Sequence, residues 1–295
     1  MYEGLAVAWP GAPIGVIGNI SRDLVSHPNR RIKELLGGAA LHVALAANRA
    51  GLCAAPTAVI GTDLQWITRD PRFAALDLSD VKVSSGESCA FRLTYDAEGQ
   101  LVSTVASFGV AEELTDHALS VLTTRPAWHV CCRRPLDAPL IFDRLASFRK
   151  PFTADFNLAS ARALMPAMRA VLGRASVVFV NAAELGILRQ AVHLRDLCQV
   201  VVSNGPRPAL VLRRGQVCAR VMPPQVPVAE VTGAGDVLAG TFLAAMARGL
   251  DDQDSLQLAV SAAAEAITHH GLTLPSDGQG ELNRVLRCPP AVRSA

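Results

Sequence analysis

Residues 230–243 read EVTGAGDVLAGTFL, two glycines around one alanine followed by an apolar run. Gly233 and Gly235 flank Ala234 and allow a sharp turn whose backbone amides can approach a ligand closely. The residues that follow are apolar at helical spacing, so the turn opens a helix. Free amides at a helix start, together with the positive end of the helix dipole, attract anions. The stretch therefore predicts an anion-binding turn.

Asp236 stands at the mouth of that helix, and its carboxylate has two interpretations. An Asp at this position commonly caps the first helical turn, and local sequence alone favours that role. A carboxylate held beside a phosphate-binding turn can instead take the proton of an attacking hydroxyl group. The rest of the chain must decide between them.

Two glycine signatures carry a resemblance to a known family. Thr-Gly-Ala-Gly-Asp followed by a helix rich in Ala and Gly resembles the C-terminal signature of the ribokinase-like (PfkB) carbohydrate and nucleoside kinases, although the usual Asp-Thr before it is Glu230 and Val231 here. The stretch GGAALHVALAANRAG at 37–51 is similar to the N-terminal signature. His42 replaces the sugar-binding Asn of the family, so it either marks an unusual substrate or packs at the helix start without touching a ligand.

Strands alternate with helices along the chain, which argues for a mostly parallel sheet with helices on both faces. The resemblance spans roughly 12–272 and implies an α/β fold, a three-layer αβα sandwich with a small β lid. We expect one domain over residues 1–295, with lid segments at about 19–36 and 83–107. In the second segment, 88–95 and 100–105 flank a polar turn that ends in Gly99, the pattern of a hairpin.

Several carboxylates follow predicted strands, where ligands gather in open α/β sheets. Asp23 comes soon after the strand at 13–18 and is either a turn residue or a carboxylate that binds substrate hydroxyls. The resemblance favours substrate binding and adds Gly37, Gly38 and His42 to that site.

We expect Asp63 to cap a helix. Asp155 lies on the same side of its strand as Asn157 and is expected to shape the site.

The predicted nucleotide side begins after the apolar run at 176–180. Asn181 and Glu184 fit a capping box, and they equally fit an amide and a carboxylate that organise Mg²⁺ through water. The resemblance implies that Glu184 serves Mg²⁺ and that ATP is bound by five residues: Asn181, Ser203, Gly205, Gly233 and Gly235. A requirement for a monovalent cation stays open.

Composition limits the classes of partner that the protein can bind and indicates its cellular compartment. A net charge of +2 and scattered arginines give no basis for binding nucleic acid or a membrane surface. No apolar run reaches the roughly 18 residues of a membrane span. The pairs Arg30-Arg31 and Arg133-Arg134 are interpreted as solvated surface. Seven cysteines without zinc-type spacing indicate a reducing cytoplasm.

The resemblance implies a kinase that moves the γ-phosphoryl group of MgATP to a hydroxymethyl group of a small sugar, nucleoside or cyclitol. Asp236 would accept the hydroxyl proton, and the turn formed by Gly233, Ala234 and Gly235 would stabilise charge on the phosphoryl group. A dinucleotide-binding dehydrogenase would need a third glycine that is absent. The rival interpretation is a catalytically silent sugar- or nucleoside-binding protein of the same fold. Exposed edges of the lid sheet would favour a homodimer.

Overall fold

The computed structural model describes residues 11–28, 30–96, 101–269 and 271–273. Within these ranges no helix combines the length and the apolar character that crossing a membrane requires. Helices and strands alternate through most of the chain, as the sequence predicts.

The strands in chain order are β1 (Ile14–Ile17), β2 (Ser21–His27), β3 (Arg30–Gly37), β4 (Ala54–Gly61), β5 (Val81–Ser84), β6 (Cys89–Tyr95), β7 (Leu101–Ser107), β8 (Ala127–Cys132), β9 (Phe152–Phe156), β10 (Val178–Asn181), β11 (Gln199–Ser203), β12 (Ala209–Arg213), β13 (Gln216–Val221) and β14 (Leu272–Thr273). The α-helices are α1 (Ala39–Arg49), α2 (Leu114–Val121), α3 (Ala138–Ser147), α4 (Leu158–Ala167), α5 (Arg169–Leu172), α6 (Ala182–Ala191), α7 (Ala234–Ala247) and α8 (Asp252–Ala266). Short 3₁₀ turns cover Gln65–Arg69, Pro71–Phe73, Gly109–Glu113 and Leu194–Asp196.

Nine strands form the central sheet in the order β13-β12-β11-β10-β9-β8-β1-β4-β5. All neighbours from β11 to β5 are parallel, and only the β11-β12 and β12-β13 pairs at one edge are antiparallel. Strands such as β1, β4 and β8 are buried along their whole length because helices cover both faces. The predicted α/β fold is confirmed.

The two faces of the sheet have separate hydrophobic cores. One core joins the sheet to α1, α7 and α8, and the other joins it to α2, α3, α4 and α6. Neighbouring residues of one strand divide between them: Val16 packs in the first core and Ile17 in the second. The helix α1 lies so close to α7 that a Cβ atom on Gly240 would be 2.3 Å from the carbonyl oxygen of Val43.

A second sheet of five strands, in the order β14-β3-β2-β6-β7, forms the small β layer that we call the lid sheet. The strands β6 and β7 pair as an antiparallel hairpin, and residues 97–100 of its turn lie outside the described residues. Val81–Ser84 overlaps the range expected for the lid but forms the edge strand β5 of the central sheet. The lid sheet therefore takes its second segment from Cys89 onward.

The carboxyl ends of the parallel strands lie along one edge of the central sheet, the edge that runs across the strands. Most of the predicted site residues follow the strands there. The ends of β11, β10, β9, β8 and β1 succeed one another along this edge. The first turn of α7 and the start of α1 reach the same edge, where the charge of Asp236 acts on the ring of His42. This is the place where ligands bind in open α/β sheets.

Candidate active site

The glycine turn before α7 has the geometry of an anion site. Gly233 has a φ of +83°, in the left-handed region that favours glycine, and α7 starts at the next residue. A Cβ atom on Gly235 would meet no atom within 4 Å, so the space above its backbone is open. The amide of Ala234 donates to the carbonyl oxygen of Val231 at 3.3 Å, whereas the amides of Gly235 and Asp236 have no carbonyl partner within this 14-residue helix and can bind an anion.

Asp236 lies in the first turn of α7 and is only 6% exposed. Gly233 occupies the N-cap position, and no side chain caps this helix. The capping interpretation of Asp236 is therefore wrong, because its carboxylate bonds elsewhere. Its Oδ1 accepts a hydrogen bond of 2.6 Å from Nη2 of Arg133, and among the described residues no donor binds Oδ2.

Arg133 links two buried carboxylates. The same Nη2 atom donates to Oδ2 of Asp155 at 2.6 Å, so Asp155, Arg133 and Asp236 form a triad. Asp155 lies near the end of β9, Arg133 directly after β8 and Asp236 in the first turn of α7. Burial opposes the charge of the guanidinium, but attraction to Asp155 and Asp236 raises the pKa of Arg133 well above its usual value. The interpretation of Arg133 as solvated surface is thus wrong, whereas Arg134 is exposed.

The predicted substrate carboxylate, Asp23, lies on β2 of the lid sheet and is 7% exposed. Burial, followed by the charges of Asp236 and Glu230, raises its pKa to about 6 against a hydrogen bond from Ser21 that lowers it. A Cβ atom on Gly37 would lie 2.1 Å from Oδ2 of Asp23, so only glycine leaves this carboxylate in place. Asp23 and Asp236 therefore belong to one electrostatic environment.

Gly38 and His42 connect the substrate side to the glycine turn. Gly38 is the N-cap of α1 with a φ of +103°, and a Cβ atom there would lie 2.2 Å from the carbonyl oxygen of Asn19. The ring of His42 would be 3.5 Å from a Cβ atom on Gly233, so the imidazole packs against the turn. Burial lowers the pKa of His42 below its usual value, which favours a neutral ring.

The lid sheet also touches the glycine turn. Tyr95 on β6 hydrogen-bonds through its hydroxyl to Oγ1 of Thr232 at 3.0 Å. Thr232 donates from its hydroxyl to Oε1 of Glu230 at 2.7 Å and from its amide to the same oxygen at 3.2 Å. Glu230, which stands where the family signature usually has Asp, is thus a buried acceptor that holds Thr232 at the start of the turn through two hydrogen bonds.

The predicted nucleotide residues lie at the ends of two adjacent strands. Asn181 on β10 pairs in register with Ser203 on β11, while Gly205 is exposed just beyond. Asn181 caps α6 and forms the complete capping box with Glu184, whose two oxygens accept from the amide and the side chain of Asn181. Burial raises the pKa of Glu184 to about 7. With both oxygens already bonded, Glu184 suits Mg²⁺ only through water.

A separate group of potential metal ligands lies beneath the triad. In the part of the chain that the structure describes, His129, Cys131 and Asp155 place one ligand atom each within 4.8 Å of one another. Arg133 already occupies Oδ2 of Asp155, and Nε2 of His129 lies 3.9 Å from Oδ1. The neighbouring guanidinium disfavours a second cation here.

Two of these findings could not be read from local sequence. Arg133 lies 22 positions from Asp155 and 103 from Asp236, and no local pattern links them. Asp63, expected to cap a helix, instead accepts from the amide and hydroxyl of Ser88 and pairs with Arg22. The only sequence signal for Arg133 is its place directly after the buried strand β8, at the end of the sheet where ligands bind.

Sequence comparisons point to one family. The family model for pfkB family carbohydrate kinase matches residues 14–278. The chain is 26% identical over 273 residues to a cytidine kinase of Thermococcus kodakarensis, covering 87% of this chain and 96% of that protein. It is 27% identical over 305 residues to the bifunctional protein HldE of Bradyrhizobium sp. (strain ORS 278) and covers 99% of this chain but only 59% of HldE.

Comparison with solved structures supports the fold. A nucleoside kinase of Burkholderia thailandensis in complex with inosine superimposes with a TM-score of 0.75 at 20% identity, covering 88% of this chain and 92% of that chain. A ribokinase of Cryptococcus neoformans in complex with ADP gives a TM-score of 0.70 at 21% identity, with coverages of 88% and 95%. At these identities the likeness concerns the arrangement of the chain.

Proposed function

Because this chain belongs to the pfkB family of carbohydrate kinases, we propose that it transfers the γ-phosphoryl group of ATP to the hydroxymethyl group of a nucleoside. The kinase class follows from the family, and the nucleoside acceptor is our proposal. Sequence similarity to a cytidine kinase and structural similarity to a nucleoside kinase that binds inosine support the choice.

The observation that carries the nucleoside acceptor is the pairing of Asp23 with Phe91 in the lid sheet. The two residues are in register on the parallel strands β2 and β6, so their side chains leave the same face of the sheet. Phe91 packs edge-on against Phe108, with ring centroids 6.4 Å apart. A buried carboxylate suits the sugar hydroxyls, and an adjacent aromatic surface suits a nucleobase. A simple sugar would use the carboxylate and leave the aromatic pair without a ligand.

The chemical step uses Asp236. Its Oδ1 stays on Arg133, while its free Oδ2 orients the acceptor hydroxyl and takes the proton as the new O–P bond forms. The bond between the γ-phosphorus and the bridging oxygen of ATP breaks, and that oxygen leaves with ADP. The open glycine turn at 233–235 stabilises negative charge on the transferring group through its amides. The proton then passes from Asp236 to solvent with the products.

The nucleotide side fits the remaining groups. The ends of β10 and β11 present Asn181 and Ser203 next to each other, as one continuous surface for the donor. Glu184 would hold Mg²⁺ through water, and the ion would supply charge neutralisation for the phosphates. The predicted cytoplasmic location, the homodimer through the lid sheet and the use of a monovalent cation stay predictions.

Release of ADP from MgATP tests the proposal when the protein is given cytidine, inosine and adenosine in parallel with free ribose, other sugars and sugar phosphates. We expect release that depends on a nucleoside. Phe91→Leu should raise the nucleoside KM by about 10-fold, as expected when an aromatic partner is lost, and should leave the response to free sugars unchanged. Phe148→Leu, at an exposed aromatic residue after α3, is the matched control.

The alternatives give different results. Release with sugars or sugar phosphates and none with nucleosides would retain the kinase and overturn the nucleoside acceptor. Binding of ATP with no release for any acceptor would favour the catalytically silent binding protein.

A further inference from the structure

Building on the proposed function, we propose that Arg133 is a positioning residue of the phosphoryl transfer. Through the Asp155–Arg133–Asp236 triad it keeps the Asp236 carboxylate ionised and aims its free oxygen at the acceptor. The family signatures that identified the site contain no residue at this position, and the neighbouring Arg134 is exposed.

The triad is built asymmetrically. Asp155 is anchored on β9 inside the central sheet and is 5% exposed, so it fixes one end. One nitrogen, Nη2, reaches both carboxylates at 2.6 Å, while the buried Nε of Arg133 has no hydrogen-bond partner among the described residues. Charge-assisted hydrogen bonds of this kind fix both distance and direction. The Asp236 side chain is thereby held by Oδ1, which leaves Oδ2 as its reactive atom.

The charges around Asp236 explain why a cation is needed. Asp23 from β2 and Glu230 from the segment before α7 add negative charge, Asp155 adds more from β9, and Glu184 on α6 faces Asp155 and Arg133. His42 from α1 and His129 from β8 are the neighbouring histidines, and burial lowers the pKa of each, so neither supplies a dependable positive charge. Arg133 is the permanent cation within this group. Without it, crowded carboxylates in a buried site would take up protons.

The pH profile of kcat, measured at saturating acceptor so that ionisation of Asp23 does not enter through the acceptor KM, separates this role from simple structural support. Arg133→Gln should move the acidic limb of the profile upward by at least about one pH unit, since a lost neighbouring charge shifts ionisation on that scale. Turnover at pH 7 should fall at least ~10-fold and recover in part at pH 9, while the Kd for ATP stays within about 3-fold. Arg144→Gln, which removes an exposed charge on α3, should leave the profile unchanged. An acidic limb that does not move in Arg133→Gln would overturn the proposal.

Two further variants keep the test decisive. Arg133→Lys retains the charge but cannot reproduce the planar guanidinium. Its acidic limb should stay near that of the unmodified protein, with turnover about 5- to 10-fold lower, and unchanged turnover would contradict a role in orientation. Asp155→Asn should also keep the acidic limb in place, because the cation still faces Asp236, and should lower turnover by loosening Arg133.

A readout independent of activity separates this proposal from the kinase assignment. Arg133→Gln should lower the Tm of the unmodified protein more than it lowers the Tm of Asp236→Asn. In the unmodified protein the substitution leaves the Asp236 carboxylate without its cation, whereas the Asp236→Asn variant has no such charge. Equal Tm losses in the two backgrounds would contradict the coupling even if no acceptor were found. A protein that shows the Tm coupling but no transfer to any acceptor would leave the triad standing and overturn the proposed function.

Discussion

Two regions of the proposed site differ in how tightly they are packed: the acceptor half, formed by Asp23, Gly37 and Gly38, and the nucleotide half, formed by Ser203 and Gly205. On the acceptor half, Asp23 is 7% exposed, and Gly37 and Gly38 fit against Asp23 and Asn19 with no room for a side chain. On the nucleotide half, Gly205 is exposed with no atom within 4 Å of its missing Cβ, and Ser203 is only partly buried. The acceptor half is preformed, whereas the nucleotide half is an open surface.

This difference has a physical consequence for substitutions. A group held in a tight, desolvated environment loses both its ligand contact and its own packing when it is changed. A group on an open surface loses only one contact, which water partly replaces. We therefore expect substitutions on the acceptor half to have large effects on the acceptor, and those on the nucleotide half to have small effects on ATP.

The largest difference between the halves should come from Asp23→Asn. The substitution removes the charge that, in the proposed function, binds acceptor hydroxyls, and charge-assisted hydrogen bonds contribute about 1.5–3 kcal/mol each. The kcat/KM for the acceptor should fall ~10²-fold, while the KM for ATP stays within about 2-fold. Steady-state kinetics with each substrate varied in turn measures both. An equal loss for ATP and acceptor would show that the halves are not separate.

Gly38→Ala should have the next largest effect, and this effect is on stability. The φ of +103° and the 2.2 Å approach to Asn19 leave no place for a methyl group. The free energy of unfolding should fall by about 2 kcal/mol or more. The matched control is Gly186→Ala in α6, where a Cβ would meet nothing within 4 Å. That variant should be neutral or more stable by about 0.5–1 kcal/mol. Denaturant unfolding of both proteins decides, and similar losses would refute the asymmetry.

The acceptor half should also respond to pH. Because the pKa of Asp23 is raised to about 6, its carboxyl group is mostly protonated at pH 5 and mostly ionised at pH 7. An ionised carboxylate accepts hydroxyl hydrogen bonds more strongly, so the acceptor KM should fall about 10-fold as pH rises through this window. MgATP is kept saturating because the pKa of Glu184 is raised to about 7, and a change in nucleotide binding through Glu184 would otherwise vary over the same pH range. The dependence should vanish in Asp23→Asn, and its persistence there would assign it to another group.

Ser203→Ala should have the smallest effect of the four. The hydroxyl lies at the end of β11 on the open nucleotide half. Loss of one neutral hydrogen bond costs about 0.5–1.5 kcal/mol, so the KM for ATP should rise about 3- to 10-fold with the acceptor KM unchanged. A rise in the ATP KM as large as ~10²-fold would mean that this half is also preformed in the working protein.

The sequence could predict the features that depend on local patterns and not those that depend on distant contacts. The strand at 13–18 and the two glycine signatures are local patterns, and the structure forms β1 over Ile14–Ile17 and starts the helices α1 and α7 directly after Gly38 and Gly233. The partners of Arg133 and Asp63 depend on contacts between distant parts of the chain, so neither was found. For Asn181 and Glu184 the local pattern could be predicted, but a further function could not. Their capping box is complete in the protein alone, and local structure gives no view of a further role with a metal ion.

The most direct test of the proton-accepting role of Asp236 is the turnover of Asp236→Asn beside its Kd for ATP, measured on one preparation with the acceptor that the unmodified protein uses. We predict a kcat at least ~10²-fold lower, as expected when a general base is lost, with ATP binding unchanged within about 3-fold. Turnover equal to that of the unmodified protein would contradict the assignment of Asp236 as the residue that accepts the proton.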